Sequence, residues 1–77
     1  ILSMKDIQST IDNGNLFAAL YRNSTSGHWV LGIGYATALG HDPLVVSNDP
    51  WNGDRNIQTY DEFKKMGNGR IWSYTAM

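Results

Sequence analysis

At 77 residues with no cysteine, the chain has room for one small domain and no disulfide to brace it; domains of this size bury only about 60% of the surface their unfolded chains expose. Six Lys and Arg against seven Asp and Glu leave a formal charge of −1, without the basic stripe that a phosphate backbone demands, which argues against a nucleic-acid partner. No apolar run approaches the roughly 18 to 20 residues of a membrane span and no signal-like segment opens the chain, so no membrane partner is expected, and a first residue of Ile1 points to a processed product or an excised piece of a longer protein.

Ser3 precedes Met4, Ile7 and Ile11 at spacings of three and four, with Asp6 placed to complete a capping box and Gly14 to stop the helix. This predicts a short amphipathic helix over 4–13, with Met4, Ile7 and Ile11 toward the core. Leu16 to Tyr21 is an apolar run of strand length, and "RNSTSG" after it is a polar loop. Residues 28–36 and 43–48 form the next two strands, joined through "ALGHDP", which holds the glycine and proline of a hairpin connection. "DPWNGDRN" is rich in turn residues and reverses the chain before a short extended piece at Asn56 to Gln58. Thr59 then caps a helix over "YDEFKKM", acidic in its first turn and basic in its last, which "GNG" ends, and Arg70 to Tyr74 reads as a closing strand.

The order helix, three strands, helix, strand, with hairpin-like connections, predicts an α+β domain: a small antiparallel sheet with two short helices. Alternation along the second strand puts Gly32 and Gly34 on the face of His28, so something should lie close against that face. It makes Trp29, Leu31, Ile33 and Tyr35 the expected core side.

Reversal between the second and third strands brings His28 opposite about residue 50. Opposed Cα atoms in such a pair are about 4.5 to 5.5 Å apart, which puts Asp49 within reach of the imidazole. A carboxylate that accepts the proton of one ring nitrogen fixes the tautomer and frees the other nitrogen to take a proton from a nucleophile. Trp51 can cover the pair and Pro50 stiffens the turn that aims it. Asn48 is the alternative orienting residue; alternation sets it on the opposite face from Asp49, so only one of the two serves. The plainer reading is an ordinary polar pair at a strand edge.

"GHWVLGIGY" and "NDPW" resemble the C-terminal, sheet-containing lobe of the papain-like cysteine peptidases. Their order after "IDNGN" and before "YDEF" is similar to bacterial branches of the bacteriocin-processing and secreted-effector type. The resemblance covers most of the chain from about Ser3 to the last strand. It implies a half-barrel lobe, with His28 as general base, Asp49 as its orienting acid, Trp51 as a shield, and Gly27 and Asn48 as substrate-binding or supporting residues. It also implies a peptide or protein substrate, no cofactor, and a partner lobe that carries the catalytic cysteine and an oxyanion-hole glutamine. Neither of those is in this chain, so the fragment alone is expected to be inactive. The competing expectation is a non-catalytic module of the same fold that serves binding or assembly.

Other candidates read more plainly. His41 and Asp42 fall in a solvated hairpin loop, and a strand rising ~3.3 Å per residue separates His41 from His28 by about 25 to 30 Å, so the two cannot share a metal. Ser26 in "STSG" reads as loop rather than nucleophile, and Lys64 and Lys65 read as a solvated helix end. "NST" at Asn23 fits a glycosylation acceptor and matters only in a eukaryotic secretory pathway.

Overall fold

The computed structural model describes all 77 residues, Ile1–Met77. The elements run α1 (Met4–Asp12), β1 (Phe17–Arg22), β2 (Gly27–Ala36), β3 (Leu44–Asn48), β4 (Arg55–Thr59), α2 (Tyr60–Phe63), β5 (Lys65–Met66) and β6 (Arg70–Ala76). The strands form one six-stranded antiparallel sheet in the order β4-β3-β2-β1-β6-β5, curled into a half-barrel. The domain is α+β, as the alternation of hairpins and short helices predicts.

Helix α1 starts where Ser3 accepts a hydrogen bond from the Asp6 amide at 3.1 Å, relieving one of the donors a helix start leaves unpaired. Gly14, at φ +81°, ends it. Ile7 is fully buried, and Met4 and Ile11 pack against the core beside it. Helix α2 carries a complete capping box between Thr59 and Glu62, but it is one turn rather than the expected two. Its continuation is claimed by the next hairpin: Lys65 and Met66 pair with Ile71 and Arg70, and the Trp72 amide donates to the Lys64 carbonyl at 2.9 Å. Asn68 and Gly69, at φ +68° and +70°, supply the left-handed turn that this hairpin needs. Lys64 caps the helix and pairs with Asp61 at 3.1 Å, and Lys65 lies in β5.

The core consists of Ile7, Phe17, Ala19, Tyr21, Val30, Val45, Phe63 and Trp72. Its face of β2 is the reverse of the expected one: His28, Val30 and Gly32 point inward and Trp29 outward. Pairing with β1 explains this, because Phe17, Ala19 and Tyr21 stand opposite Gly32, Val30 and His28. The Phe17 ring covers Gly32 so closely that a Cβ there would overlap it; the close approach expected on the glycine face is a core phenylalanine. Trp29 instead meets Tyr74 edge-on, centroids 6.3 Å apart, on the outer face. A bulge between Gly32 and Gly34 then shifts the register. It takes Gly34 off the His28 face and sets Tyr35 opposite the buried Val45, where its hydroxyl donates to Asp12 Oδ1 of α1 at 2.7 Å. That hydrogen bond and the carboxylate's charge raise the Tyr35 pKa.

Candidate functional site

β3 runs alongside β2 from Ala36↔Leu44 to Leu31↔Asn48, so the chain leaving β3 emerges beside the first half of β2, which carries His28. The chain then turns over Asp49–Asp54. The turn is closed at both ends: the Asp49 amide donates to the Asp54 carbonyl at 2.9 Å and the Gly53 amide to the Asp49 carbonyl at 2.7 Å. Gly53 takes the φ of +75° that the reversal requires. Inside the turn, the Trp51 amide donates to Asp49 Oδ1 at 2.9 Å. The Asp49 carboxylate is thus fixed by its own turn before it meets any other element.

It meets His28. Nε2 of the ring lies 3.0 Å from both Oδ1 and Oδ2 of Asp49. The Trp51 indole lies over the imidazole, centroids 5.1 Å apart and planes 29° from parallel, while itself remaining 77% exposed. His28 is 8% exposed. Its second nitrogen, Nδ1, has no hydrogen-bond partner. Ser47 Oγ is the one fully enclosed side-chain polar atom without a partner, so Nδ1 is unpartnered but not sealed off. The ring is therefore held at one nitrogen, roofed by an aromatic plane and left without a partner at the other nitrogen.

The loop that leads into His28 is held as firmly. Asn23 Oδ1 accepts from the amides and hydroxyls of Thr25 and Ser26, and its Nδ2 donates to the Asn68 carbonyl at 2.8 Å. Ser26 Oγ accepts from Arg70 Nε at 3.0 Å. Asn23 is an organiser of this loop, with its amide nitrogen engaged, and Ser26 is tied to an arginine rather than to His28. On the next strand, Tyr21 stands opposite His28 and donates its hydroxyl to the Phe63 carbonyl. Burial pushes the Tyr21 phenol well above its ordinary range.

Of the residues singled out in the sequence, His28, Asp49 and Trp51 come together. Asn48 does not: it pairs with Leu31 and Arg55 in the ladders, and its side chain makes no hydrogen bond to the ring. Gly27 is exposed at the first position of β2, where a Cβ would come within 3.3 Å of Leu20 Cδ1. His41 and Asp42 are exposed in the distant β2–β3 loop. No group of three or more His, Cys, Asp or Glu side chains converges as a metal site would require.

The sequence reading missed a polar recess of about 340 Å³ bordering Asp49, lined by residues that include Tyr21, Ser47, Asn56, Gln58 and Lys65. β4 and β5 are the two edges of the sheet, and both line it, because the sheet curls until its edges face each other. The available signal was Ser47 itself, which shares the inward phase of Val45 in "LVVSN". Comparison with protein-family models, with curated proteins and with solved structures gives no match for this chain.

Proposed function

We propose that this chain is the catalytic-base lobe of a papain-like cysteine peptidase, with the nucleophilic thiol supplied by a segment outside these residues. The observation that supports it is the His28–Asp49 pair: Nε2 is held by a carboxylate at 3.0 Å while Nδ1 has no hydrogen-bond partner. With Nε2–H donated to Asp49, the lone pair is on Nδ1, which takes the proton of an incoming thiol. The imidazolium that forms is stabilised by Asp49. The thiolate attacks the peptide carbonyl, Nδ1–H passes its proton to the departing amine, and Nδ1 then draws a proton from the water that hydrolyses the thioester. Trp51 covers the ring face and limits water's competition for the Nε2–Asp49 hydrogen bond.

The test is peptide hydrolysis by the parent polypeptide, with alkylation identifying the thiol it depends on. His28→Ala is expected to lower kcat by about 10²- to 10⁴-fold, the usual worth of a positioned general base. Asp49→Asn, whose amide oxygen still accepts from Nε2–H, should retain more activity than Asp49→Ala. Thiol-independent hydrolysis overturns the cysteine mechanism, and an inactive parent polypeptide with no cysteine leaves a non-catalytic module of the same fold.

A further inference from the structure

The recess beside Asp49 has the chemistry of a binding site. Ser47 is 1% exposed and its Oγ has no hydrogen-bond partner, a rare state for a buried hydroxyl, since burial without a partner costs stability. Around it the recess collects side chains that hydrogen bonding inside the fold leaves unused: the amides of Asn56 and Gln58 and the ammonium of Lys65. Asn52 has its Oδ1 taken by the Asp54 amide at 2.9 Å, which leaves its NH₂ free. Donors therefore outnumber acceptors, and Lys65 adds a positive charge. The one carboxylate on the wall, Asp49, already faces His28 Nε2 and the Trp51 amide. The volume of about 340 Å³ is at the small end of ligand pockets, suited to one side chain rather than to a large cofactor.

We propose that this recess is a subsite for an acidic side chain of a bound peptide, its carboxylate received by Lys65, Ser47 Oγ and the amides of Asn56 and Gln58. The naming of the carrier as a peptide rests on the peptidase reading; the preference for a carboxylate rests on the recess alone. Because Asp49 borders the recess and also holds His28 Nε2, an acidic residue bound here lies beside the carboxylate that orients the imidazole.

The test is a titration of the ¹⁵N-labelled 77-residue chain with N-acetyl-glutamate N-methylamide and, separately, with its glutamine counterpart, followed by NMR. The glutamate compound should give saturable shifts at the Ser47 and Gly67 backbone amides and at the Asn56 and Gln58 side-chain amides, with binding at least about tenfold tighter than the glutamine compound. Lys65→Met should erase that preference, Lys65→Arg should keep it, and Ser47→Ala should weaken binding while the spectrum stays dispersed. Equal affinity for the two compounds, absence of saturable shifts, or a preference untouched by Lys65→Met overturns the subsite. Those outcomes leave the hydrolysis measurements on His28 and Asp49 variants standing, and failure of those measurements leaves the titration standing.

Discussion

Asp49 holds the imidazole of His28 at Nε2, both carboxylate oxygens 3.0 Å away, and Nδ1 is left as the nitrogen free to exchange a proton. The neutral ring should therefore be the Nε2–H tautomer. Long-range ¹H–¹⁵N correlation spectra of the neutral His28 ring distinguish the two nitrogens directly. A pyridine-type Nδ1 is expected, changing to a mixture of tautomers in Asp49→Ala. An Nδ1–H ring in the unaltered chain contradicts the pairing.

Trp51 is largely exposed yet stacks on His28 at 5.1 Å, so its removal should uncover the ring more than it unsettles the fold. Trp51→Ala is expected to change stability by about 1 kcal/mol or less, as exposed substitutions usually do. Modification of His28 by diethylpyrocarbonate should accelerate several-fold in the same variant. An unchanged rate means that the indole does not shield the imidazole.

Gly32 lies under the buried ring of Phe17, which packs against Trp72 at 5.8 Å and Phe63 at 6.0 Å and has no room to retreat. Gly32→Ala should destabilise by roughly 1–3 kcal/mol through overpacking, seen as a lower Tm. Phe17→Leu, destabilising alone, should cost less in the Gly32→Ala background than in the original one, because the two residues share the same space. Simple additivity of the two substitutions is the contrary result.

Alkaline pH should weaken the fold through Tyr21. Its phenol is raised above its ordinary value of 10.0 by burial, so the unfolded chain releases this proton at lower pH than the folded one. The associated stability is complete below about pH 10 and declines as pH rises beyond it, by at most about 1.4 kcal/mol per pH unit from this group. Denaturant unfolding of the unaltered chain and of Tyr21→Phe between pH 9 and pH 11 should show the steeper decline in the former. Parallel curves exclude the contribution.

Much of the local structure was legible because it follows from near neighbours in the chain. Ser3 caps α1 through Asp6, Thr59 and Glu62 form a capping box, and the Asp-Pro and Asn-Gly pairs of "DPWNGD" make the turn that aims Asp49. Even the meeting of His28 and Asp49 follows from one short connection, since a hairpin between two strands brings the start of one beside the end of the other. What alternation could not decide was which face of β2 is inside. Period two marks two faces without naming them, and the choice came from β1, whose Phe17, Ala19 and Tyr21 lie opposite Gly32, Val30 and His28. The bulge after Gly32 was equally invisible, and it alone moves Tyr35 to the core side. The end of α2 was misread because the β5–β6 hairpin, formed with residues farther along the chain, outcompetes one more helical turn.

Residue order by itself therefore determined the caps, the turns and the histidine–aspartate encounter, all of which depend on contacts across one turn or one hairpin. Only the tertiary structure decided the inward face and the recess around Ser47. Both arise from the curl of a six-stranded sheet that brings β4 and β5 together from opposite edges, and that closure depends on side-chain volumes packed between elements far apart in sequence.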